Sequence, residues 1–94
     1  MKGFEELDKL EAYLTMHGYT IHRIDYFSDL VDRHQIIVYD SNRNRLWDAI
    51  CQMGSYGYEQ GLLEIYGSIV DPAKDNDTVV GCLTAEDVIK RIEG

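Results

Sequence analysis

Three histidines (His17, His22, His34) and two cysteines (Cys51, Cys82) supply the ligand types that zinc prefers. Their spacing does not supply a site. His17 and His22 lie five residues apart across an expected helix end, and Cys51 and Cys82 stand 31 residues apart with no CxxC pair. The histidines read as surface or capping groups, and the cysteines as reduced, half-buried small hydrophobes of a cytosolic protein. Asp75, Asp77 and Glu86 occupy the first, third and twelfth positions of an EF-hand loop. Val79 and Val80, however, stand where an oxygen ligand and the required Gly belong, so the stretch reads as an acidic solvated loop. Cys51 beside Trp47 and Met53 on one strand face reads as a buried, inert thiol. No GxSxG, HExxH or P-loop occurs, and Gly54-Ser55-Tyr56-Gly57 lacks the length and lysine of a phosphate cradle. The expectation is a protein with no catalytic residue, no metal and no cofactor.

Recognition chemistry is better represented. Seven Tyr against two Phe and one Trp skew the aromatic content toward amphipathic rings. Tyr56, Tyr58 and Tyr66 crowd one stretch among glycines, with Glu59 and Glu64 between them. Tyr and Gly give rigid contact area on an adaptable backbone, which suits a partner-binding surface. The competing reading is that these rings complete a thin core with their hydroxyls at the surface.

These residues must be positioned by a single domain, because 94 residues leave no room for two. A chain of this size buries roughly 60–65% of its unfolded surface, enough for a modest core. No apolar run reaches the ~20 residues of a membrane helix, and the N-terminus has acids where a signal peptide needs a basic start. The expectation is a cytoplasmic protein without a membrane partner.

The net charge is −8, and residues 51–94 hold eight acids against three bases. Phosphate backbones want clustered Lys and Arg, so direct nucleic-acid binding is disfavoured. An acidic C-terminal half suits a basic protein partner instead.

Phe4, Leu7, Leu10 and Leu14 predict an amphipathic helix over 3–17, stopped by Gly18. Tyr19 to Tyr26 reads as a strand, and Ser28 to Arg33 as a turn or wide loop. Residues 35–53 read as a β-hairpin closed by the turn-forming run Asp40 to Asn44. Beyond it, Tyr58, Leu62, Ile65, Tyr66 and Ile69 match one helix face, and a short helix is favoured over a strand broken by Gly67. Val79 to Leu83 is a short extended segment. Thr84 opens a C-terminal helix over 84–93, with its hydroxyl set to cap Asp87. The predicted fold class is α+β: a two-layer domain with about three mainly antiparallel strands from residues 19–53, covered by the N- and C-terminal helices. Residues 54–70 would pack at an end or edge. An exposed edge strand also admits a homodimer.

Two stretches, Gly54-Ser55-Tyr56-Gly57-Tyr58-Glu59-Gln60-Gly61-Leu62-Leu63-Glu64-Ile65-Tyr66-Gly67 and Val79-Val80-Gly81-Cys82-Leu83-Thr84-Ala85-Glu86-Asp87-Val88, carry a resemblance. At residues 54–67 and 79–92 the chain resembles small uncharacterised proteins of phages and prophages of Gram-positive bacteria. The resemblance implies a phage or prophage context in a bacterial cytoplasm, and it carries over no catalytic residue. The functional expectation is a non-catalytic accessory protein that binds another protein, possible partners including a basic host protein, through Tyr56, Tyr58, Glu59, Glu64 and Tyr66. The alternatives are a small enzyme or metal-binding protein with a His/Cys/Glu site assembled by the fold, and a structural homo-oligomer.

Overall fold

A computed structural model describes residues 4–94. Residue 3, the first of the expected N-terminal helix, and the Phe4 side chain lie outside the described residues. The chain is α+β. In order it forms α1 (Phe4–Met16), β1 (Thr20–Phe27), β2 (Asp32–Tyr39), β3 (Arg45–Gln52), a 3₁₀ turn (Tyr58–Gln60), β4 (Leu63–Gly67), α2 (Pro72–Asp75), β5 (Val79–Leu83) and α3 (Ala85–Glu93). The strands form one open sheet in the order β1-β2-β3-β4-β5, and every neighbouring pair is antiparallel.

Local signals explain both terminal helices. Leu7, Leu10 and Leu14 recur on one stripe of α1 and are completely buried. Gly18, at φ +78°, ends the helix in the left-handed conformation, and the Tyr19 amide turns back to donate to Leu14 O at 3.0 Å. At α3 the Thr84 hydroxyl accepts from the Asp87 amide and the Asp87 carboxylate accepts from the Thr84 amide, a complete capping box. Glu6 of α1 reaches across and accepts from the Ala85 amide at 2.7 Å. One helix therefore caps the other, which joins the two into a single layer.

The β2–β3 hairpin closes as its composition predicts. Asp40 Oδ1 accepts from the Asn42 and Asn44 amides at 2.8 and 2.9 Å, an Asx-type arrangement. Along β2 and β3, Ile36, Val38, Trp47, Ala49 and Cys51 point toward α1 and join its leucines in the core. Met53, which the alternation places with them, lies past the strand end and is exposed.

Residues 54–83 differ most from the sequence expectation. The sheet has five strands, not about three, because 63–67 and 79–83 extend it. The helix favoured over 58–69 is replaced by the 3₁₀ turn and β4. Gly57 and Gly61 both adopt positive φ, +92° and +73°, and close the turn on either side. Beyond it Leu63 and Ile65 are buried against the helices while Tyr66 faces away, the alternation of a strand. The helical spacing of Tyr58 and Leu62 arose from turn residues. The Val79–Leu83 segment is one of the two edge strands, with Cys82 at φ +58° and exposed instead of half-buried; both cysteines are free. Among the described residues no helix is long and apolar enough to cross a membrane.

Candidate functional site

The sheet face under the helices is apolar at its centre and turns polar toward the β1–β2 turn. Asp25 of β1 pairs in register with His34 of β2, and both point inward together with Asp32. His34 is completely buried. Its Nδ1 lies 2.7 Å from Asp25 Oδ1 and its Nε2 lies 2.6 Å from Asp32 Oδ1. Each ring nitrogen therefore faces a carboxylate oxygen at hydrogen-bond distance. Tyr58 completes the chain from the other side, its hydroxyl donating to Asp32 Oδ2 at 2.7 Å. Four side chains from β1, β2 and the 3₁₀ turn thus form one line across the end of the core.

Hydrogen bonds of 2.6–2.7 Å run the whole length of this line. Cys51 pairs in register with His34 and is buried beside it. Both imidazole nitrogens are engaged by carboxylates, at 2.7 Å with Asp25 and 2.6 Å with Asp32. Among the described residues no group of three His, Cys, Asp or Glu side chains converges as a metal site.

The electrostatics follow the contacts. The Tyr58 hydroxyl, with His34 adding to it, holds the Asp32 carboxyl below its usual range against the opposing pull of burial. The same bond to Asp32, reinforced by burial, pushes the Tyr58 phenol up to about 12. A phenol raised in the folded state favours the neutral form there. Its contribution to stability is therefore full below its unfolded value near 10 and is lost as pH rises through about 12. Absorbance titration at 295 nm is expected to show one tyrosine ionising well after the exposed ones, and Tyr58→Phe to remove that late step. A step near pH 12 that survives the substitution would place the strongly perturbed phenol elsewhere.

The buried line underlies an exposed apolar tip. Tyr26 (56% exposed), Phe27 (64%), Leu30 (84%), Val31 (41%) and Met53 (55%) gather around the β1–β2 turn and the end of β3. The tip is ordered by the backbone. Ser28 N donates to Val31 O at 2.7 Å, and Ser28 Oγ accepts from the Leu30 and Val31 amides. Met53 N donates to Asp32 O at 3.0 Å, which brings the β3 end beside the turn. Phe27 pairs in register with Asp32. The residue that anchors His34 and Tyr58 therefore also fixes the strands from which the tip projects. Asp25 and Asp29 are exposed beside it and give it an acidic rim. The sequence reads as a turn or wide loop over 28–33, whereas β2 already begins at Asp32. The available signal was Leu30-Val31, two adjacent apolar residues in a segment that turn chemistry would fill with polar ones.

The five residues singled out in the sequence divide between two sides of the sheet. Glu64 and Tyr66 of β4 point to the face away from the helices, and Tyr66 is exposed. Tyr56 joins them: its amide donates to Glu64 Oε1 at 3.0 Å and its side chain packs on Gly81 of β5. Tyr58 turns to the opposite side, into the Asp32 line. Glu59 is exposed on the 3₁₀ turn. Glu64 and His34 lie on opposite faces and share no site. No family model, curated protein or solved structure matches this chain, so the functional reading rests on its own residues.

Proposed function

We propose that this chain is a non-catalytic accessory protein that binds another protein through the apolar tip formed by Tyr26, Phe27, Leu30, Val31 and Met53. One observation carries the reading: a tightly hydrogen-bonded turn presents Leu30 almost wholly to solvent. Exposed apolar groups clustered at one end of a sheet are a common mark of an interaction surface. A pre-ordered turn also lowers the entropy lost on binding. The acidic rim and the net charge of −8 suit a partner groove with an apolar floor and basic edges. A phage or prophage setting, with a basic host protein as partner, is part of the same proposal. A second reading places the contact on Tyr56, Glu64 and Tyr66, and is favoured by the exposure of both rings on the open face.

Photo-crosslinking separates the two. A crosslinker at Leu30 is expected to capture a specific protein that one at Tyr66 does not. Leu30→Asp should weaken that complex by about 30-fold or more, the loss of a central apolar anchor. Affinity should also fall with added salt, since rim charges are screened. Capture from Tyr66 alone, with Leu30→Asp binding normally, would transfer the site to the open face.

A further inference from the structure

A different feature occupies the opposite end of the sheet. Thr20, His22 and Tyr39 point to the open face at the start of β1 and the end of β2, with Thr20 and Tyr39 paired in register. With Ile21 and Arg43 of the hairpin loop they line a cleft of about 470 Å³. That volume lies within the usual range for small-ligand sites. Arg43 is unusual for this chain. The other described arginines donate to carboxylates or to a side-chain amide: Arg23 to Asp8, Glu11 and Asp25, Arg33 to Gln35, Arg45 to Asp48, and Arg91 to Asp75. Among the described residues Arg43 makes no ion pair or side-chain hydrogen bond, although acids outnumber bases 17 to 9. Its neighbour Asp40 is turned inward to the Asn42 and Asn44 amides and does not neutralise it. The backbone holds Arg43 at φ +66°, the left-handed region that non-glycine residues seldom occupy. His22, Thr20 and Tyr39 likewise have no side-chain hydrogen-bond partner among the described residues.

We infer that this cleft binds a small ligand with a planar ring and a phosphate group, of the nucleoside monophosphate class, with Arg43 and His22 on the phosphate and the Tyr39 ring against the base. Guanidinium and imidazole supply directed donors for phosphate oxygens. The Thr20 hydroxyl offers a further hydrogen bond, and the Tyr39 ring supplies the apolar surface that a base needs. The overall negative charge is a weak obstacle, because at 0.1 M salt exposed charges beyond about 10 Å are largely screened. The site is independent of the apolar tip, so either can fail alone.

Titration of the ¹⁵N-labelled protein with AMP, adenosine and inorganic phosphate tests the assignment. AMP is expected to give saturable amide shifts at residues 20–22, 39 and 43, with adenosine and phosphate each binding more weakly. Arg43→Gln keeps the same backbone demand and should weaken AMP by about tenfold or more, as loss of a charged hydrogen bond does. His22→Gln should weaken AMP more than adenosine. The inference is overturned if AMP does not saturate these shifts, if Arg43→Gln binds AMP as well as the parent, or if adenosine or phosphate alone binds as tightly as AMP.

Discussion

Replacing His34 with alanine is expected to destabilise the fold by about 3–5 kcal/mol, the loss of a buried ring that bonds two carboxylates together with the cavity it leaves. The ring is fully buried and both nitrogens are engaged, at 2.7 Å with Asp25 and 2.6 Å with Asp32. Its removal leaves Asp32, itself only 7% exposed, with the Tyr58 hydroxyl as its remaining side-chain donor in this line. Water cannot easily replace the lost ring nitrogens, and the vacated ring adds a cavity. A domain of this size loses about 4–8 °C of melting temperature per kcal/mol, so the melt should fall by about 12 °C or more. Tyr58→Phe removes one hydrogen bond to a charged acceptor and should cost less, about 1.5–3 kcal/mol. Removing both members, Asp32→Ala with His34→Ala, should cost less than the two single losses together, because the bond they share is then lost only once. Thermal denaturation of the parent, the three single variants and the double variant makes the comparison. A His34→Ala melt within 2 °C of the parent would mean that the carboxylate–imidazole line does not hold this end of the core.

What the sequence disclosed and what it hid divide by range of interaction. The leucine stripe of α1, the Gly18 stop, the Asp40 turn and the Thr84 cap each depend on residues within a few positions of one another. Periodicity and capping chemistry therefore reveal them directly. The His34 line does not have that property. Asp32 and Tyr58 are 26 residues apart, and they meet only because β3 runs back along β2 and the glycine-flanked turn then folds over the sheet end. The tyrosine cluster misleads for the same reason. Tyr56, Tyr58 and Tyr66 are close in sequence, yet the turn sends Tyr58 to the helix side while Tyr56 and Tyr66 remain on the other. The apolar tip was hidden differently. Leu30 and Val31 are readable as apolar, but their exposure depends on what the rest of the fold leaves uncovered.

Gly67→Ala is the second substitution with a large expected effect, because Gly67 is where the sequence argues against a strand and the structure requires one. It pairs with Trp47 in the β3–β4 ladder at φ +118°, a conformation L side chains rarely adopt. A Cβ there would stand 2.5 Å from Leu46 O, 2.6 Å from Trp47 Cα and 2.9 Å from Trp47 Cβ. Two of these are backbone atoms, so no rotamer change relieves the clash. The strands must part, and Trp47, buried in the core, must move with them. Backbone strain costs of order 1–3 kcal/mol and forced overpacking a similar amount, so the combined loss should be about 3 kcal/mol or more. Gly54→Ala isolates the first contribution, since Gly54 also has positive φ, +92°, but a Cβ there meets nothing within 4 Å. Urea denaturation is expected to show Gly67→Ala losing clearly more stability than Gly54→Ala. Equal losses would assign the whole effect to backbone conformation. A larger loss at Gly67 means that close approach of β3 and β4 selects glycine there, and that the residue counted against the strand is the one that lets it join the sheet.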